Sequence, residues 1–204
     1  IEGHGFTAVA VEADWPDAAR IDRHVRGRHP RGAPFEPFQR FPTWMWRNRE
    51  VAALVAWLRA HNAATESSRR VSFHGLDLYS MHTSRAEVIA YLDRVDTEAA
   101  GVARRRYACL SPWQHDPAEY GRAVVTGRFA GCEASVVAML SDLLRRRLND
   151  QLEFGDDYLD AAQNAVVVAN AERYYRIMYS GSRASWNLRD QHMFETLQTI
   201  RAHR

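Results

Sequence analysis

The feature that most constrains this chain is the run Phe6-Thr7-Ala8-Val9-Ala10-Val11 behind Gly5. It is short and almost wholly apolar, with no alternation of polar residues. Such a run reads as a strand of a parallel sheet covered on both faces. It stops abruptly in Glu12-Ala13-Asp14-Trp15-Pro16-Asp17. Pro16 cannot donate into a ladder and suits the first turn of a helix, with Asp14 placed to cap it. The pattern predicts a helix over Pro16–Val25.

The second strand candidate is Val71-Ser72-Phe73-His74-Gly75, followed by Leu76-Asp77-Leu78-Tyr79. Between the strands lie a loop, Gly27 to Pro42, with four prolines and two glycines, and a helix over Arg47–His61. In that helix Val51, Leu54, Val55 and Leu58 fall at helical spacing. Ala63–Arg70 reads as a polar connection. Beyond the second strand the periodicity predicts helices over Arg85–Leu92, Thr97–Tyr107, Cys132–Leu148 and Tyr158–Tyr179, with a loop at Pro112–Pro117. After Ser180-Gly181-Ser182 a last helix covers Asn187–Ala202, with Leu188, Met193, Leu197 and Ile200 on one face. The expected fold class is therefore α/β, with few parallel strands near the N-terminus and a predominantly helical remainder. Two strands alone do not make a stable sheet. Either further strands lie outside this chain or the helices carry the domain.

Bulk properties narrow the function classes. The chain has 204 residues, a net charge of +2 and no lysine. That balance is too weak to point to nucleic acid or an anionic membrane. No apolar stretch reaches the length of a membrane span, and the N-terminus is not a signal peptide. Cys109 and Cys132 do not form a metal-ligand spacing or a disulfide framework, so a reducing cytoplasm is the expected compartment. The triplets Arg104–Arg106 and Arg145–Arg147 read as solvated helix faces. There is no phosphate-binding glycine loop, no G-x-S-x-G and no H-E-x-x-H, so a serine triad has no support.

Chemistry-bearing residues gather at a few places. Groups beyond the carboxyl ends of parallel strands are favoured functional positions. Glu12 stands at that edge, where it could serve as base, orient a histidine or stay solvated. His74 and Asp77 flank Gly75 at the end of the second strand, the same edge if the strands are parallel. His74 could join an acid–base cluster or sit in the core. Asp77 could join it or cap a turn. Trp44 and Trp46, around Met45 and ahead of Arg47, could line an apolar pocket or plug the core. Arg47 could meet an anion or a carboxylate. Arg189 and Asp190 are neighbours on a helix and cannot face each other, so each needs another partner.

Five segments carry a resemblance. They are Phe6–Ala18, Phe41–Asn48, Phe73–Ser80, Arg106-Tyr107-Ala108-Cys109, and Ser185-Trp186-Asn187-Leu188-Arg189-Asp190 with Met193. Together they resemble the erythromycin esterase family over nearly the whole chain. The resemblance implies a single partial domain over 1–204, cut from a larger α/β hydrolase unrelated to the serine-triad fold. It implies a small-molecule ester as substrate, opened by water with a histidine as general base. Glu12 matches the glutamate that supports that histidine. His74 and Asp77 are further catalytic candidates, and Trp44, Trp46, Arg47, Arg189 and Asp190 are substrate-binding candidates. The family's Gly-Glu…His segment is expected upstream of Ile1, and a second histidine-bearing strand beyond Arg204. His4 is no substitute, because it stands at the wrong end of the strand. No cofactor is implied, although a carboxylate–histidine cluster leaves room for a divalent metal. Some relatives join this module to a phosphoribosyltransferase domain. Two other readings stay open: a non-catalytic binding or regulatory module on the same fold, and an inactive fragment of a larger enzyme.

Overall fold

The computed structural model describes residues 1–28, 38, 43–149, 155–179 and 181–203. The order of elements is β1 (Ala8–Asp14), α1 (Trp15–Val25), α2 (Thr43–Trp46), α3 (Arg49–Ala63), β2 (Ser72–Asp77), α4 (Met81–Val95), α5 (Thr97–Tyr107), α6 (Pro117–Val125), α7 (Glu133–Asn149), α8 (Asp156–Ile177) and α9 (Ser182–His203). Short 3-10 turns occupy Ser67–Arg69 and Ala108–Trp113.

β1 and β2 pair in parallel. Ala8 lies opposite Ser72, Val9 opposite Phe73, Ala10 opposite His74 and Val11 opposite Gly75. The next pair is Asp14 with Asp77, so β1 carries one more residue than β2 over this stretch. That irregularity is a bulge, a device that turns side chains out of the regular alternation. Gly75 makes the close approach feasible. A Cβ there would stand 2.4 Å from the Ala13 carbonyl oxygen and 2.7 Å from that of Asp14.

Helices cover both faces of this small sheet, as an unbroken apolar strand requires. On one face Phe73 and Val71 pack with Ile21 and Val25 of α1 and with Val55 and Leu58 of α3. On the other, Ala8 and Leu76 pack with Trp15, Val167 of α8 and Ile200 of α9. A separate, larger core joins α4, α5, α6, α7 and α8. α8 is buried on several sides, from Ala161 and Ala165 to Gln163, Val167, Val168 and Ala171, because it is the common neighbour of the sheet and the bundle.

The helix expected over 47–61 begins at Arg49 and runs to Ala63, and an unexpected single turn, α2, precedes it. Asn48 caps α3 by accepting from the Val51 N–H at 2.9 Å, which separates α3 from the single turn of α2. α5 has the expected bounds, with Asp96 as its cap. α4 and α9 begin earlier than the periodicity predicts. α6 is an addition that the sequence reading left out. It is a short helix containing Gly121, a combination that hides helical periodicity. Asp116 caps it and Pro117 opens it. Gly121 is where α6 meets α8, since a Cβ there would overlap the Tyr175 carbonyl oxygen. Most of the Gly27–Pro42 loop lies outside the described residues.

Cys109 and Cys132 are joined as a disulfide with their Cα atoms 6.0 Å apart. Two cysteines whose spacing offered no disulfide framework are thus paired by a single bridge. The fold brings them together by doubling the chain back through α6, which spacing alone does not reveal. Among the described residues no helix is long and apolar enough to cross a membrane.

Candidate active site

The carboxyl ends of β1 and β2 open into a cavity of about 320 Å³. Glu12, Asp14, Asp77, Tyr79, Trp46 and Arg189 stand among its walls. They come from the ends of β1 and β2, from α2 and from α9, so the site exists only once these have assembled.

Arg189 holds it together. Its Nε donates to Asp77 Oδ1 at 3.0 Å, and its Nη2 donates to Asp77 Oδ2 at 2.8 Å. This is the bidentate fork for which guanidinium and carboxylate are matched. Nη2 also donates to Glu12 Oε1 at 2.5 Å. The side chains of Arg189 and Asp77 are each only 9% exposed, whereas that of Glu12 is 56% exposed. The network therefore has a buried half and a half that faces the cavity. The hydrogen bonds it donates to Asp77, and then to Glu12, hold the guanidinium even more firmly protonated than usual, against the cost of its burial. Tyr79 and Trp186 flank its plane, with ring centres 5.2 and 5.6 Å from the guanidinium carbon.

Other contacts fix the walls. Trp46 Nε1 donates to the Glu12 carbonyl oxygen at 3.0 Å, tying α2 to the bulge. Tyr79 shares a hydrogen bond of 3.1 Å with the Tyr174 hydroxyl. Burial raises the Tyr79 phenol above its ordinary range, and the Tyr174 bond adds to this. Tyr79 therefore stays a protonated phenol. Asp14 occupies the cap position of α1, yet its side chain makes no cap hydrogen bond to the helix. It lines the cavity instead, which corrects its expected role as a cap.

The remaining candidates lie elsewhere. His74 does not share a face with Asp77, because residues three apart on a strand point to opposite sides. It is buried, bonds Ser72 Oγ at 2.8 Å and stacks on Trp15. Trp44 is 68% exposed. Arg47 borders a separate groove between α1 and α3. Asp190 faces solvent, as adjacency to an inward Arg189 requires. The structure thus brings Glu12, Asp77, Arg189 and Trp46 together, and leaves His74, Trp44, Arg47 and Asp190 apart.

Two residues escaped the sequence reading. Tyr79 stands two positions after Asp77, and strand alternation would have sent it to the same side. His192 lies one turn after Arg189, is 1% exposed, and faces Asn170 Nδ2 with its Nδ1 at 2.8 Å. Burial lowers its pKa to about 4, against the pull of Asp77 and Glu195. His192 does not line the cavity, and so weak a base is a poor proton acceptor at neutral pH. Among the described residues no imidazole lines the cavity.

Among the described residues no three His, Cys, Asp or Glu side chains converge to hold an ion. The Arg189 guanidinium bridges the carboxylates of Asp77 and Glu12.

The erythromycin esterase family profile matches residues 1–204. Among solved structures the chain is similar to a protein from Bacillus cereus, with TM-score 0.79 and 18% identity over 99% of this chain and 48% of that one. It is similar to a succinoglycan biosynthesis protein, with TM-score 0.72 and 17% identity over 97% and 46% of the two chains. It is also similar to a histidine-to-asparagine mutant of the erythromycin esterase EreC in its open conformation, with TM-score 0.59 and 16% identity over 98% and 51%. At these identities the likeness shows the fold alone. The chain spans about half the length of the solved structures it matches.

Proposed function

This chain belongs to the erythromycin esterase family, and on that premise we propose that the full-length protein is a hydrolase that opens a carboxylic ester of lactone type. The reading is carried by one observation: Glu12 is held by a buried Arg189–Asp77 pair at the rim of a cavity beyond the carboxyl edge of a parallel sheet. One oxygen of Glu12 is held by Arg189 and the other accepts no hydrogen bond among the described residues, as suits a carboxylate that orients an imidazole. The imidazole is a histidine contributed by the full-length protein from beyond this chain. It takes a proton from water as the water oxygen attacks the ester carbonyl. Trp46, Met45 and Phe38 form the apolar side of the cavity and receive the body of the substrate.

The test is Glu12→Gln in the full-length protein, assayed against neutral lactones and esters that the parent cleaves. Turnover should fall by about 10² or more, with the thermal midpoint preserved because Glu12 is largely exposed. Parental turnover in that variant would sink the assignment.

A further inference from the structure

Arg189 has five N–H donors, and its contacts with Asp77 and Glu12 use three. Nε and one N–H of Nη2 face Asp77, and the second N–H of Nη2 faces Glu12. Among the described residues Nη1 makes no hydrogen bond. The planar fork fixes where its donors lie. One Nη1 N–H points from the same end of the guanidinium as the N–H that Glu12 receives. An oxygen bound there would sit beside the Glu12 carboxylate, whose Oε2 accepts no hydrogen bond among the described residues. Donor and acceptor are side by side on residues that line the cavity. The flanking Tyr79 and Trp186 rings keep the plane from turning away.

Charge then selects the ligand. One guanidinium between two carboxylates leaves the network with a net negative charge. It repels a carboxylate or a phosphate, but still offers N–H donors to a neutral carbonyl whose oxygen becomes negative during reaction. We infer that Arg189 Nη1 is the donor that receives the carbonyl oxygen of a neutral ester and stabilises the oxyanion formed on it. This rests on the hydrolase reading above. As the water oxygen bonds to the carbonyl carbon, the C=O π pair moves onto the oxygen facing Nη1. The proton of the water passes to the general-base imidazole. The oxyanion then collapses, the bond from carbon to the alkoxy oxygen breaks, and the imidazolium returns the proton to that leaving oxygen.

The experiment compares the full-length parent and Arg189→Lys on a panel of neutral lactones and aryl esters, and on the matching thionoesters, whose sulfur is a poorer hydrogen-bond acceptor. In Arg189→Lys, kcat should fall by about 10²-fold or more, with KM changed only a few-fold. The parent should favour the oxygen ester strongly, and the variant should lose much of that preference. A folded Arg189→Lys with parental kcat overturns the inference and leaves the hydrolase reading standing. If the variant does not fold, the parent decides alone, and equal rates on oxygen and sulfur esters overturn the inference. A parent that cleaves no member of the panel overturns the hydrolase reading, and the inference with it.

Discussion

Arg189 serves two carboxylates that differ in how far they have left water, and their energetic roles differ accordingly. Asp77 is buried with it, so removing the charge of Asp77 leaves a largely buried guanidinium with only the exposed Glu12 as a charged partner. Breaking such a pair from one side costs about 3–5 kcal/mol. Glu12 is 56% exposed, and exposed pairs contribute about 0–1 kcal/mol. Asp77→Asn should therefore destabilise the protein by several kcal/mol, whereas Glu12→Gln should change stability by less than about 1 kcal/mol. Urea denaturation of the two variants measures this directly. Equal losses would mean that the two halves of the network are equally buried in solution. The same asymmetry explains why Glu12 is the better probe of function, since its loss separates chemistry from folding.

At the scale of the element, the bulge at the end of β1 decides where Glu12 points, and Gly75 on β2 permits the bulge. An added Cβ at Gly75 would meet backbone, which cannot swing aside as a side chain can. Gly75→Ala should cost about 1–3 kcal/mol and should also lower turnover in the full-length protein beyond what that loss explains, because β1 must shift and carry Glu12 with it. A variant with reduced stability but parental kcat on the folded fraction would show that Glu12 is positioned independently of the bulge. The sequence announced β1, α1 and β2 because strand runs and Pro16 are local signals. α9 was harder to read. Its apolar residues suggested a face of Leu188, Met193, Leu197 and Ile200, but the buried stripe is Ser185, Arg189, His192, Thr196 and Ile200. Polar partners from other elements account for this. Asp77 draws in Arg189, Asn170 meets His192, and Gln163 donates to Thr196 at 2.7 Å. Meanwhile Trp186 and Phe194 remain 54% and 55% exposed. Periodicity reports hydrophobicity, and a helix whose buried side is polar defeats it. Glu12 and Asp77 were legible as candidates at a sheet edge, while the link between them was not, because it runs through Arg189, 112 residues from Asp77 and 177 from Glu12.

Across the whole molecule, buried titratable groups set the pH range in which the fold persists. His192 is enclosed between α8 and α9, where burial holds it near pKa 4 rather than 6.5. His82 on α4 is lowered to about 4 as well, first by burial and then by the charge of Arg85. In the folded state both stay neutral well below the pH at which the unfolded chain takes up protons. Between about pH 6.5 and 4 the unfolded state therefore binds more protons, and stability must fall as pH falls. Above pH 6.5 the contribution is fully present. For His192 the whole interval is worth roughly 3 kcal/mol. Asp156 acts in a lower window. Burial pushes its carboxyl up, but His203, Arg26 and Arg28 prevail and bring it from 3.8 to about 2. Its contribution is present above pH 4 and disappears as pH drops toward 2. Acid unfolding should therefore begin on the histidine limb, well above the carboxylate range. Replacing His192 with Asn keeps an acceptor for Asn170 and removes the titration. Unfolding free energies from urea melts at pH 7 and pH 4.5 should differ less in His192→Asn than in the parent. An unchanged pH dependence would mean that His192 is already solvated enough to protonate without leaving the fold.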